Sequence, residues 1–118
     1  HALKDRYDKM LAELPLILPY QNKDTYSSFH LYPIQVDLKK INRSHSSIFR
    51  SLREKGLGVN LHYIPIHRHP FYQKIGFKSG DFPIAENYFK QAISIPIFYS
   101  LSFEEQDEVI STIKEVLV

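Results

Sequence analysis

The chain opens with apolar side chains at helical spacing. Leu3, Tyr7, Met10, Leu11 and Leu14 share one face, and charged residues fill the other. This predicts an amphipathic helix over residues 2–14, stopped by Pro15. Residues 16–19 are short, apolar and bounded by prolines, which suits an edge strand. After a polar connection at 21–28, the pattern changes to alternation. His30, Tyr32, Ile34 and Val36 fall on one side, with Phe29, Leu31 and Pro33 on the other, so residues 29–38 read as a strand. Pro33 cannot donate to a ladder, which predicts an edge or a bulge there.

A second helix is predicted over 42–56. Asn42 or Ser44 can cap it, Ile48, Phe49 and Leu52 form its stripe, and Gly56 suits a left-handed stop. Residues 58–64 read as another strand. Residues 64–70 read as irregular because of Pro65 and Pro70, and residues 71–75 as a turn of helix. Asp81 is the expected cap of a helix marked by Ala85, Tyr88, Phe89 and Ala92. A short extended piece at 94–98 follows. Ser102 and Glu105 make a capping box for a last helix with Val109, Ile110, Ile113, Val116 and Leu117 as its stripe. Most aromatics, including Phe29, Phe49, Tyr88 and Phe89, are expected in the core. Helices alternating with a few short strands imply a small α+β fold, a short-stranded sheet packed with helices.

Composition narrows the function classes. A chain of 118 residues suits one domain, and its 43% hydrophobic content is enough for a core without staples. The absence of cysteine excludes disulfides, thiolate metal sites and a cysteine nucleophile. A formal charge of +2 gives no reason to expect nucleic acid or a membrane surface as partner. No apolar run reaches the ~20 residues that span a bilayer. The opening residues lack a signal-peptide core and an initiator methionine, which suggests a segment of a longer protein. Lys39, Lys40, Arg43, Arg50, Arg53 and Lys55 read as a solvated helix face, with a phosphate role open for one or two of them.

The stretch "LHYIPIHRHPFYQ", residues 61–73, carries the candidate chemistry. Its histidines, His62, His67 and His69, follow the spacing H-x4-H-x-H, and His30 could join them. Three histidines can hold zinc, but this proline-stiffened spacing does not place all three rings on one centre. No G-x-S-x-G and no glycine-rich phosphate loop is present. What remains is a rigid loop rich in hydrogen-bonding rings, with no complete catalytic constellation. Strand ends are where pockets form, so His62, Tyr63 and His67 are expected to point outward from a sheet end.

Four stretches, "SSFHLYPIQVD", "LREKGLGVNLHYIPIHRHPFYQ", "GDFPIAENYFKQAISIPIF" and "LSFEEQDEVISTI", resemble in order the carboxyl end of the DegT/DnrJ/EryC1/StrS aminotransferases. The combination H-Y-x-P-x-H-x-x-P-x-Y, G-D-F-P-x-A-E and S-I-P is the specific part, and the wording is closest to the PseC-type branch. The resemblance implies a fold-type-I, pyridoxal-phosphate-dependent (PLP) enzyme that aminates a UDP-linked or other nucleotide keto-sugar, a 4-keto-6-deoxy sugar in that branch. An amino donor such as glutamate and a role in surface polysaccharide or flagellin glycan synthesis follow from it. So do a cytoplasmic location, a homodimeric parent and a bacterial source.

Residues 1–118 would be the small carboxyl-terminal domain, with 1–14 as the connecting helix. The large PLP-binding domain, with its Schiff-base lysine, would lie outside the chain. No lysine here matches that context, so the resemblance assigns no catalytic and no cofactor-binding residue, and no cofactor or metal is expected on this chain alone. His62, Tyr63 and His67 would face the sugar nucleotide or the cofactor edge, with His30 and Tyr72 as further candidates. The competing possibilities are that these rings only shape the loop, or that the chain is a stand-alone binding module of the same fold.

Overall fold

The computed structural model describes residues 1–118. Helix α1 spans Ala2–Leu11, strand β1 Leu16–Ile17, strand β2 Tyr32–Val36 and helix α2 His45–Glu54. A 3-10 turn at Ile66–Arg68 leads to helix α3, Pro70–Lys74, and helix α4, Pro83–Phe89. Strand β3, Ala92–Ile95, and helix α5, Phe103–Leu117, complete the chain. This is the small α+β fold that the patterning predicts. No helix is long and apolar enough to cross a membrane.

The strands form one antiparallel sheet in the order β1-β2-β3. Strand β2 is therefore central, yet the part of it that holds Pro33 is a local edge on the β1 side, as the proline predicts. The register explains the tolerance. The Val36 N–H donates to Gln91 on the β3 side, and the Asp37 N–H donates to Pro15 on the β1 side. By alternation Pro33 faces the β1 side. Strand β1 pairs only with Val36 and Gln35, so Pro33 lies beyond its end and leaves no ladder bond unmade.

Cross-strand pairing also sorts the two faces. Tyr32 and Ile34 lie opposite Ile95 and Ile93, and all four are buried. Together with Val36 they form the floor of a core roofed by three helices: Tyr7 and Leu11 of α1, Ile48 and Leu52 of α2, and Val109, Ile110, Ile113 and Val116 of α5. Pro33 and Gln35 lie opposite Ser94 and Ala92, on the other face. That second face carries the loop described below.

Polar contacts fix how the helices meet. The buried Tyr7 hydroxyl donates to the Pro96 carbonyl at 2.7 Å, and the Tyr32 hydroxyl donates to Asp8. Burial pushes both phenols above their ordinary value of 10, and the Asp8 carboxylate adds to this at Tyr32, so both stay protonated. The Gln106 side-chain amide donates to the Leu3 carbonyl at 2.8 Å, tying α5 to α1. Arg43 Nη1 donates to the Val116 carbonyl at 2.7 Å and so covers the carboxyl end of α5. The predicted capping box is present: Ser102 Oγ accepts from the Glu105 N–H, and Glu105 Oε2 accepts from the Ser102 N–H.

Several expectations are corrected. Helix α1 stops at Leu11 rather than residue 14, because Leu14 precedes Pro15 and is pushed out of the helical region. Residues 58–64 form no strand; a single bridge joins Asn60 to Ser94. Helix α4 is entered through Phe82 with Pro83 in its first turn, while the Asp81 carboxylate accepts from the Lys78 N–H at 2.8 Å and closes the preceding turn instead. Ala92 belongs to β3. Phe29 is only partly buried and packs against His1 and Lys4, outside the core cluster.

The position of α5 makes a direct expectation. Ile113 is fully buried, so Ile113→Ala should cost about 2–5 kcal/mol in equilibrium denaturation. A loss below about 0.5 kcal/mol would place this face at the surface.

Candidate functional site: a histidine–tyrosine loop over an aromatic groove

After α2 the chain turns through Gly56, whose φ of 83° is the left-handed stop read from the sequence, and Val59 enters the core. The Asn60–Ser94 bridge then sets the following residues along the outer edge of β3. His62 Nδ1 meets Ser94 Oγ at 2.9 Å. That bond fixes the ring, and Nε2 has no partner in the protein. Which nitrogen carries the proton decides whether Nε2 offers a donor or a lone pair to a ligand. Tyr63 stacks edge-on against His62, with ring centroids 4.7 Å apart, and is 72% exposed. Its hydroxyl has no protein partner.

His67 behaves differently. It is 6% exposed, and its Nε2 lies 2.7 Å from Glu86 Oε1. Glu86 is 5% exposed and collects further donors: the Gly80 N–H at 2.7 Å, Ser79 Oγ at 3.2 Å and, more distantly, Arg68 at 3.8 Å. The Gly80 N–H foremost, and the His67 ring with it, hold the Glu86 carboxyl well below its ordinary 4.5, at about 2. Gly80 adopts a φ of 97°, a conformation that suits glycine, and this aims its N–H at the carboxylate.

The loop and α4 enclose two adjoining grooves. One, of about 620 Å³, is walled by Tyr63, Pro65, Phe82, Ile84 and Tyr88, with Asp81 at its edge. The other, of about 420 Å³, lies between Ile66, His67, Tyr72, Phe77 and Phe82. Both walls are largely apolar and aromatic, with tyrosine hydroxyls, Asp81 and the His67 ring as the polar groups.

Of the residues singled out from sequence, Tyr63, His67 and Tyr72 border these grooves, and His62 stands beside Tyr63. His30 is exposed ahead of β2 and lines neither. The histidine rings face separate partners: Ser94 for His62, Glu86 for His67 and the Ile64 carbonyl for His69. Sequence reasoning missed Ser94 and Glu86 as site residues. Glu86 stood in the quoted G-D-F-P-x-A-E pattern, yet no periodicity links it to a histidine 19 residues away. PLP chemistry needs a lysine for the Schiff base. No lysine lines either groove, so this chain's own residues do not fit that cofactor.

This helix-backed, three-stranded antiparallel sheet superposes on solved sugar aminotransferases. The model of the DegT/DnrJ/EryC1/StrS aminotransferase family matches residues 1–114, and the chain belongs to this family. It is 37% identical over 115 residues to the spore coat polysaccharide biosynthesis protein SpsC of Bacillus subtilis, covering 95% of this chain and 30% of that protein. It is 31% identical over 114 residues to a UDP-4-amino-4,6-dideoxy-N-acetyl-beta-L-altrosamine transaminase of Campylobacter jejuni, covering 94% of this chain and 29% of that protein.

Among solved structures, the putative sugar aminotransferase Spr1654 of Streptococcus pneumoniae in its PMP form superposes with a TM-score of 0.86 at 31% identity, over 98% of this chain and 29% of that one. A PLP form of Spr1654 is also known. Helicobacter pylori PseC superposes at 0.87 with 24% identity, over 98% of this chain and 31% of that one, a likeness of fold. The chain thus spans about 30% of the length of the curated relatives it matches.

The depressed Glu86 carboxyl makes a pH expectation. A carboxylate held below its unfolded value adds stability that is complete above pH 4.5 and is lost as pH falls through about 2. Melting temperature followed across that window should fall less steeply in Glu86→Gln than in the wild type. Parallel curves would mean that Glu86 titrates alike in both states.

Proposed function

We propose that the chain is the carboxyl-terminal small domain of a PLP-dependent aminotransferase that aminates a nucleotide-linked keto-sugar. Its domain would run over 1–118, with 1–14 as the helix that connects to the cofactor-bearing part. The observation that carries this reading is the pair His62–Tyr63: one ring is anchored to Ser94 with a free nitrogen, and the other, packed against it, is exposed with a free hydroxyl and walls an aromatic groove. Such groups suit the hydroxyls and phosphate oxygens of a nucleotide sugar, and the apolar wall suits a ring face.

The substrate proposed is a UDP-linked 4-keto-6-deoxy sugar, with glutamate as amino donor. The Campylobacter relative, a transaminase named for a UDP-linked 4-amino-4,6-dideoxy sugar, supports that class. The remainder of the protein would supply PLP and its lysine, in a cytoplasmic homodimer. His62 and Tyr63 are the residues proposed to touch the ligand. Tyr72 stands at the second groove, His67 acts from beneath, and the exposed His30 joins only if the remaining domain brings ligand to it.

Three measurements test this. The full-length protein, given PLP, glutamate and a UDP-linked 4-keto-6-deoxy sugar, should release 2-oxoglutarate. Tyr63→Phe keeps the ring and removes one donor, so kcat/KM should fall by the equivalent of about 1–3 kcal/mol at an unchanged melting temperature. A lowered melting temperature with normal kinetics would assign the loop to structure alone. The isolated 118-residue chain should bind PLP at no specific site, so that borohydride traps no stoichiometric label on a single lysine. One labelled lysine would show that the chain holds its own cofactor.

A further inference from the structure

Residues 70–85 are exposed at every position, although they include Phe71, Ile75, Phe77, Phe82 and Ile84. A segment without buried side chains has little apolar burial to hold it in one conformation. The Glu86 carboxylate is what gathers it. Oε1 accepts from His67, before the segment, and from Gly80, within it, while Oε2 accepts from Ser79. The ring of His67 in turn packs 4.9 Å from Phe82, which packs 6.0 Å from Phe77. Phe82 walls both grooves. The buried carboxylate therefore sits under the wall that faces Tyr63, and touches neither groove's opening.

We propose that Glu86 is a positioning residue for the nucleotide-sugar site: its carboxylate pins the 70–82 segment to His67 and so sets the position of Phe82 opposite Tyr63. This rests on the functional reading above. A glutamine in the same rotamer keeps an oxygen where His67 and Gly80 donate, and its amide meets Ser79 Oγ, which can accept. An alanine removes every acceptor and leaves the Gly80 N–H and the His67 ring unpartnered.

The test compares the full-length enzyme with Glu86→Ala and Glu86→Gln. Amide hydrogen exchange over 76–82 should rise about tenfold in Glu86→Ala, while exchange in α5 stays as in the wild type. KM for the UDP-linked 4-keto-6-deoxy sugar should rise about tenfold with kcat within about twofold, and Glu86→Gln should restore both readouts. If Glu86→Ala does not fold, His67→Phe takes its place, because it keeps a ring against Phe82 and deletes one donor; smaller shifts in the same direction are then expected.

Unchanged exchange at 76–82 would overturn the pin. Faster exchange with an unchanged KM would overturn the positioning role, as would a fall in melting temperature that lowers activity at constant KM. A wild-type enzyme that leaves this sugar unaminated would overturn the functional reading and the ligand part of this proposal with it, and the exchange data would still decide the pin.

Discussion

A sheet of three short strands has only one face that three helices can share, and everything else in this molecule follows from which residues occupy it. Tyr32, Ile34 and Val36 on the central strand, with Ile93 and Ile95 beside them, fill that face completely. The helices α1, α2 and α5 come from the start, the middle and the end of the chain, yet all three bury their stripes there. Because the central strand carries Pro33, its ladder on one side must end early, and the two-residue β1 satisfies that condition. The hydroxyls of Tyr7 and Tyr32 and the amide of Gln106 are polar groups drawn in among these helices, and each finds an acceptor, as buried donors must.

Filling one face leaves the other for function. Ser94 lies on that second face by strict alternation, and its hydroxyl is where His62 docks. The same strand thus contributes Ile93 and Ile95 to the core and Ser94 to the loop. Rigid elements position the loop at its start, through the Asn60–Ser94 bridge, and at its return, through α4 leading into β3. Between those anchors, the buried Glu86 carboxylate accepts from His67, Ser79 and Gly80 and so joins the two sides of the loop.

Family membership sets the scale of what this domain can do. Fold alone does not carry catalysis, and the chain spans about 30% of the length of its curated relatives. Its grooves offer tyrosine, histidine and apolar walls and no lysine. That inventory suits holding and orienting a ligand whose reacting atoms meet other groups, and it accounts for a domain rich in ring side chains and poor in complete catalytic sets.

The amino-acid sequence alone determined the elements whose signal is local and periodic. Helix α5, with its Ser102–Glu105 box and its stripe from Val109 to Leu117, was legible in full, because capping and helical spacing act over neighbouring residues. The Ser44 cap and Gly56 stop of α2 were legible for the same reason. The H-Y-x-P-x-H stretch was legible as the place to look, and the family through it. Tertiary structure alone decided the rest. That Pro33 sits in the central strand depends on how short β1 is. That residues 58–64 make one bridge depends on where β3 ends. That His67 turns inward goes with its bond to Glu86, distant in sequence and near in space. Periodicity reports which side a residue shows to its own element; only the packing of elements says what waits on that side.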